Sequence, residues 1–390
     1  MIIYIVTASA SCLLIWLEEK LSSKNKIEKI LFLGLAILIP TLVAAFRSDI
    51  IGTDVRTYVE PIQDWANSNS TYSDFINYSG TLINGEPFNR FEKGYVSLVY
   101  FCSRINSSLS FNLFVSELIM IGCVLYGLIK FNRIRKISIV LGLFVFYTIF
   151  YNMSFNMVRQ SIAMFILLFG FNYLLKEEWL KYFVIVVLAY LFHNSAIIGL
   201  LFFVVYYFLY CKKQGKYNFS IRNEVITNEM LRTAIVILIG LILLLILPIL
   251  RNIINAMGFS QYAAYIPSHI NFSLRQILVR LPFLLVLLAE WQVNKDNKLR
   301  YFYLIMFLTD IFVSQFSGNE TTSTGYGSRI AWYAAVFYIY ALPDMLNTKN
   351  KGKEIILTVL LVIYLIIYWY VFTVVLNYNA TVPYIFAGIN

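Results

Sequence analysis

The sequence predicts an all-α polytopic membrane protein of about twelve transmembrane helices. Three observations predict it. The chain is 59% hydrophobic and only 13% charged, where a soluble globular chain carries about 25% charged residues. Its apolar residues fall in runs long enough to cross a hydrocarbon core, which takes about 20 helical residues. Its basic residues gather in loops between alternate runs, the pattern that sets orientation in a bilayer. A net charge of +10 would suggest nucleic acid in a soluble protein. Distributed in this way it reads as topology, and no nucleic-acid partner is expected.

In chain order the runs lie near 1–17, 30–46, 111–129, 137–155, 158–175, 179–192, 196–210, 233–250, 277–293, 301–316, 330–346 and 354–376. The first has no basic stretch ahead of it, and Lys20 and Lys24 follow it. It therefore reads as a retained span and not a cleaved signal. The apolar stretch 137–175 is too long for one span. Asn152, Ser154 and Asn156 favour caps and turns, so the chain is expected to reverse there. The stretch 182–210 is broken in the same way at His193-Asn194-Ser195.

One set of alternating loops holds only Arg47, Arg56, Arg90, Lys93, Arg104, Arg159, Arg251, Arg275, Arg280 and Arg329; the remaining basic residues lie in the other. The richer set should be cytoplasmic, which puts both termini on the extracytoplasmic side. The chain then reads as a single integral membrane domain, 1–390. Two long extracytoplasmic segments, 47–110 and 251–276, interrupt it, with a shorter one at 317–329. Loops of such length are functional or disordered. The first is rich in Tyr, Asn, Asp and Ser and is expected to carry short interfacial helices.

The poorer set is nearly all arginine. Guanidinium forks match phosphate and carboxylate oxygens, whereas lysine acts as a point charge. Snorkelling accounts for a single arginine at a helix end; the set as a whole points to anion recognition. Cys12, Cys102, Cys123 and Cys211 form no CxxC pair, so neither a disulfide framework nor a zinc site is expected. The chain has no GxGxxG, P-loop or HExxH motif, and no cofactor or metal is expected.

Four constellations can carry chemistry. In Arg47-Ser48-Asp49-Ile50-Ile51-Gly52-Thr53-Asp54-Val55-Arg56-Thr57-Tyr58, Gly52 permits a tight turn and Thr53 or Asp54 can cap a short helix. Helical spacing then puts Asp54, Thr57 and Tyr58 on one face, beside Arg47 or Arg56. Glu92-Lys93-Gly94-Tyr95 reads as a turn and helix start with an exposed carboxylate. In Asn156-Met157-Val158-Arg159-Gln160 an arginine meets open helix N–H groups, an anion seat. His193 lies at membrane depth, where titratable groups are usually functional, and its ordinary pKa suits acid or base work. Arg275 and Arg280, and Tyr326 and Arg329, repeat the pattern of an arginine at a helix start. His269 reads as a solvated loop residue, and Glu117 and Asp310 as buried charges whose partners are not evident. Tyr58, Trp65, Tyr72, Tyr78, Tyr95, Tyr262 and Tyr265 can stack on sugar faces or anchor the loops at the interface.

These constellations, in this order, resemble the EpsG-like family of bacterial polysaccharide polymerases, the Wzy type. The resemblance rests on Arg47, Gly52-Thr53-Asp54, Tyr58, Glu92-Lys93-Gly94-Tyr95, Asn156-Met157-Val158-Arg159-Gln160, His193-Asn194-Ser195, the later Tyr326 and Arg329, and a terminal Pro383-Tyr384. Lys93 stands where the family commonly has Pro. The resemblance implies a GT-C-like architecture in the bacterial inner membrane and a glycosyltransferase of the outer leaflet. Repeat units of an O-antigen or similar polysaccharide would arrive on undecaprenyl pyrophosphate, and the growing chain would be transferred onto an incoming unit. His193 is then the expected base, with Asp54 as its alternative or orienting partner. Arg47, Arg56, Arg159 and Arg329 are expected at the diphosphate. Tyr58, Glu92, Tyr95, Asn156, Gln160, Arg275, Arg280 and Tyr326 complete the expected substrate-binding set. Donor and acceptor lipids, the bilayer, a chain-length regulator and a flippase are the implied partners. A lipid-linked oligosaccharide flippase and an O-antigen ligase are the rival readings. A flippase would need pathway residues inside the bundle and often shows internal repeats; here the polar residues gather on one face.

Overall fold

Apolar runs punctuated by Ser, Asn and Lys fold as a succession of helices, seen in a computed structural model that describes residues 1–21, 26–69, 71–211, 219–221, 224–226, 228–258, 272–291, 297–316, 326–347 and 350–388. Among the described residues seven helices are long and apolar enough to cross a membrane: Ile2–Leu21, Lys26–Ala45, Leu109–Arg135, Val158–Leu175, Asn194–Cys211, Asn228–Ala256 and Lys351–Val375. Ile139–Ser154 and Trp179–Phe192 are shorter apolar helices. The remaining predicted runs fall on Leu274–Ala289, on Arg300–Val313, and on the pair Tyr326–Ala335 and Tyr338–Leu346. Among the described residues the all-α expectation has one exception, an antiparallel hairpin of Phe219–Ile221 with Glu224–Ile226. A basic loop was expected there; its β-branched Ile221, Val225 and Ile226 suit a strand.

The chain divides into two compact units, Met1–Ile197 with Val362–Asn390, and Ile198–Leu361. In the first, α1 (Ile2–Leu21) and α2 (Lys26–Ala45) pack as a pair, joined where the Ser11 hydroxyl donates to the Ala36 carbonyl at 2.7 Å. The segment 47–110 carries short helices as expected: α3 (Glu60–Ser68), α4 (Tyr72–Ile76) and α5 (Lys93–Ile105). Pro61 lies in the first turn of α3, where no N–H is required. Thr71 caps α4 by accepting from the Asp74 N–H. Next come α6 (Leu109–Arg135), capped by Ser108, and α7 (Ile139–Val145), capped by Ser138. A π-helical turn, Phe146–Tyr151, leads into α8 (Asn152–Ser154).

The chain reverses at 155–157, as the polar cluster predicts, and enters α9 (Val158–Leu175) and then α10 (Trp179–Phe192). Helix α9 is the centre of the unit: 14 of its 18 residues are buried, against five of 20 in α2. Gly170 admits α10 closely, since a Cβ there would come within 2.6 Å of Ile185 Cγ2. Asn172 Nδ2 donates to the Gly127 carbonyl of α6 at 3.3 Å. The C-terminal segment closes the unit. Asn152 Nδ2 donates to Thr381 Oγ1 at 3.0 Å, Trp369 Nε1 donates to Asn152 Oδ1 at 3.0 Å, and the Tyr4 hydroxyl donates to the Thr381 carbonyl at 2.7 Å.

In the second unit the helices Arg300–Val313 and Tyr338–Leu346 each bury an aspartate, Asp310 and Asp344. Asp310 pairs with Arg280 at 2.9 Å and accepts from the Tyr338 hydroxyl at 2.7 Å. Asp344 accepts from Tyr303 at 2.8 Å and from Asn297 at 3.0 Å.

Candidate functional site

Where α2 ends, the backbone of 46–48 bridges to 385–387: Ser48 N–H donates to the Ile385 carbonyl and Ala387 N–H to that of Phe46, each at 2.8 Å. This bridge encloses Arg47, which is only 2% exposed. Its guanidinium lies 4.3 Å from the Phe155 ring centroid and donates to the Ala44 carbonyl at 2.6 Å. Glu117 is the acidic residue that acts most strongly on it. Arg47 was expected at the diphosphate, and it or Arg56 beside Asp54. It is instead an interior group, desolvated by a C-terminal segment more than 300 residues away.

Asp49 and Arg56 pair at the surface, Nε to Oδ2 at 2.6 Å, with the Arg56 side chain 60% exposed. The hydrogen bond from Arg56 holds the Asp49 carboxyl below its ordinary range, against a smaller opposing effect of burial. Gly52 follows at φ +79°, and a Cβ there would lie 2.2 Å from the Phe155 carbonyl oxygen. Only glycine allows both the left-handed backbone and the close approach. The approach aligns Thr53 with Asn156, whose Oδ1 accepts the Thr53 N–H at 2.9 Å and the Thr53 hydroxyl.

Thr53 or Asp54 was expected to cap the helix that follows. That helix is a π-helical turn, Val55–Val59, and Asp54 makes no capping bond to it. Its Oδ2 accepts the N–H of Val158, the first residue of α9, at 3.0 Å, and the hydroxyl of Tyr58. The carboxylate thus caps a helix 104 residues downstream, at its positive end. Burial first, and then the Asp54 charge, push the Tyr58 phenol well above its ordinary range, so Tyr58 remains a donor. Thr57 is exposed and donates to the Thr53 carbonyl at 2.7 Å.

The Glu92 carboxylate is buried, not exposed as the sequence suggests. One oxygen pairs with Arg159 Nη1, and the other accepts the Asn194 N–H at 3.1 Å. Gly94 permits this: a Cβ there would be 2.5 Å from the Leu191 carbonyl, at the end of α10. The Arg159 guanidinium lies 4.5 Å from the Tyr58 ring and 4.9 Å from that of Phe91. Tyr95 is fully buried, edge-on to Tyr58 at 5.9 Å. Its hydroxyl and Arg159 Nε are buried without a hydrogen-bond partner among the described residues. The seat expected at the start of α9 is therefore occupied by the chain's own carboxylates, Asp54 on the N–H and Glu92 on the guanidinium.

Helix α10 ends at Phe192. His193 is extended, with φ −158° and ψ 124°, and a 3₁₀ turn, Asn194–Ile197, follows. Ser195 Oγ lies 2.6 Å from His193 Nδ1. Gln160 is buried in the first turn of α9. The segments 52–58, 92–95, 156–160 and 193–195 thus converge at one end of α9. Sequence reasoning missed Phe91 and Phe155, the two rings against the arginines, which carry no polar marker.

The other candidates belong to the second unit. Arg280 is engaged by Asp310 and by Gln276. Arg275 lies in the first turn of the same helix, which Ser273 caps. Tyr326 opens the helix that contains Arg329, and its side chain lies outside the described residues, as do Tyr262, Tyr265 and His269. In the first unit Trp65 packs on Tyr78, with centroids 4.1 Å apart, and Tyr72 stacks on Phe101 at 5.5 Å. These rings lie at the surface of segment 47–110, whose buried aromatic core includes Phe75, Phe88 and Tyr100.

The family model described as the EpsG family matches residues 30–386, nearly the whole chain. No curated protein and no solved structure matches it.

Proposed function

The chain belongs to the EpsG family, and from that premise we propose that it is a glycosyltransferase that polymerises undecaprenyl-pyrophosphate-linked oligosaccharide repeat units at the outer leaflet of the bacterial inner membrane. The family itself points to glycosyl transfer in polysaccharide formation by a membrane protein. In the proposed reaction the bond from the anomeric carbon of the growing chain to its diphosphate breaks. The electron pair leaves with undecaprenyl pyrophosphate. The acceptor hydroxyl of an incoming unit bonds to that carbon, and its proton passes to a base. The donor is already activated, so no nucleotide is required.

The observation that carries this reading is the convergence of Asp54, Tyr58, Glu92 and Arg159 on the start of α9, with Glu92 also holding the amide beside His193. Charge develops on the leaving diphosphate, where a preorganised guanidinium is worth most. The unsatisfied Nε of Arg159 is a donor that a phosphate oxygen would complete. Arg56, exposed and in a surface pair that is worth little, can exchange Asp49 for the diphosphate. Two groups at this end can take the acceptor proton, His193 and Asp54.

Twelve spans of GT-C-like arrangement, both termini extracytoplasmic, go with this reading, as do a flippase and a chain-length regulator as neighbours. The test is a strain deleted for the chromosomal copy and complemented with R159A at matched membrane levels. Removing one such donor raises a barrier by roughly 3 kcal/mol, so single repeat units should replace polymer on the surface glycolipid. A surface with no repeat unit at all indicates a ligase, and intermediates trapped inside indicate a flippase. Undiminished polymer with R159A removes the assignment.

A further inference from the structure

Ser195 meets one nitrogen of the His193 ring with two groups. Its Oγ lies 2.6 Å from Nδ1, and its backbone N–H donates to the same Nδ1 at 3.3 Å. A backbone amide can only donate. A proton on Nδ1 would point at the amide proton, so Nδ1 turns its lone pair toward Ser195 and the neutral ring carries its proton on Nε2. The surrounding backbone holds this arrangement. His193 N–H donates to the Ala189 carbonyl at 3.1 Å and Ala196 N–H to the His193 carbonyl at 2.9 Å. Asn194, between the two residues, is held by Glu92 at 3.1 Å. The Ser195 amide cannot leave Nδ1 without breaking that turn.

We propose that Ser195 is a positioning residue that fixes His193 as the Nε2–H tautomer, so that the imidazole is a neutral hydrogen-bond donor to the phosphate oxygens and Asp54 is the base. The tautomer stands on the local geometry; the donor's role rests on the glycosyl-transfer reading. No proton is transferred to or from His193. Its Nε2–H bonds to oxygen that gains charge as the anomeric bond breaks, and the acceptor proton passes to the Asp54 carboxylate.

The chain has two histidines, His193 and His269, so H269N leaves a single imidazole for ¹⁵N NMR of the purified full chain in nanodiscs. The expected spectrum has a pyridine-type Nδ1 and a pyrrole-type Nε2. In S195A the Nδ1 signal should move as the hydroxyl bond is lost, while the amide keeps the tautomer. The reverse pattern, a pyrrole-type Nδ1, overturns the proposal.

A second comparison uses polymer formed in the deletion strain at matched protein levels. The glutamine of H193Q keeps an N–H donor near Nε2 and has no basicity. H193Q should stay within roughly tenfold of wild type, while H193A falls by about a hundredfold or more, the usual effect of losing such a donor. If H193Q is as inactive as H193A, the imidazole is the base and the proposal is overturned. The NMR result is independent of polymerisation. An Nε2–H ring in a wild-type protein that makes no polymer would support the tautomer and count against the polymerase reading.

Discussion

Glu92 and Arg159, 67 residues apart, form a buried ion pair whose side chains are 6% and 15% exposed. Truncating one partner of such a pair strands a charge in a low-dielectric interior and costs about 3–5 kcal/mol, whereas replacing both with apolar side chains is often neutral. E92A and R159A should each lower thermal stability in detergent by that order, and the joint replacement E92L with R159M should recover most of it. A joint variant no more stable than the singles would show that the pair does not act as a unit. Polymer should be lost in all three, because the guanidinium is absent or displaced.

Gly52 and Gly85 both have positive φ, +79° and +83°, but a Cβ at Gly85 meets nothing within 4 Å, whereas at Gly52 it meets the Phe155 carbonyl. G85A therefore carries backbone strain alone, of order 1 kcal/mol. G52A adds a clash with main chain and should separate Thr53 and Asp54 from α9. Melting temperatures should fall far more for G52A. Equal shifts would mean that the loop relaxes away from Phe155 without loss.

Much of the architecture was legible because a bilayer imposes a length and a charge pattern on every span. The runs at 137–155 and 158–175 part where Asn152, Ser154 and Asn156 interrupt them, and the break at His193 is where α10 ends. The site was legible in residue type and illegible in partnership. Asp54 has the chemistry of a cap, but the helix it caps is chosen by the approach of Gly52 to Phe155, which no local spacing encodes. Arg47 reads as an interfacial cation because nothing nearby in sequence announces that Ile385 and Ala387 will close over it. Glu92 reads as exposed for the same reason: Arg159 and Asn194 reach it only through the tertiary fold.

Asp54 combines two roles that substitution can separate. Asparagine caps helices about as well as aspartate, and alanine costs about 1 kcal/mol. D54N should therefore keep near-wild-type stability while losing polymer, because the amide cannot accept a proton. D54A should lose both. Full polymer from D54N at matched membrane levels would show that the residue only holds α9.

The Asp49–Arg56 pair should behave unlike the buried one. It is exposed, so R56A should cost less than about 1 kcal/mol in stability and any effect should shrink with added salt. The Asp49 carboxyl lies below its ordinary value because Arg56 donates to the ionised form. The sign follows: the pair's contribution is fully present above the unfolded carboxyl value of about 3.9 and is lost as pH falls through the lower folded value. An acid titration of unfolding should therefore show wild type and R56A differing slightly near neutrality and converging in strong acid. Polymer formation by R56A should fall more at low donor than at saturating donor, the mark of a group that captures the diphosphate and not one that acts only at the transition state. A drop independent of donor level would place Arg56 in the chemical step instead.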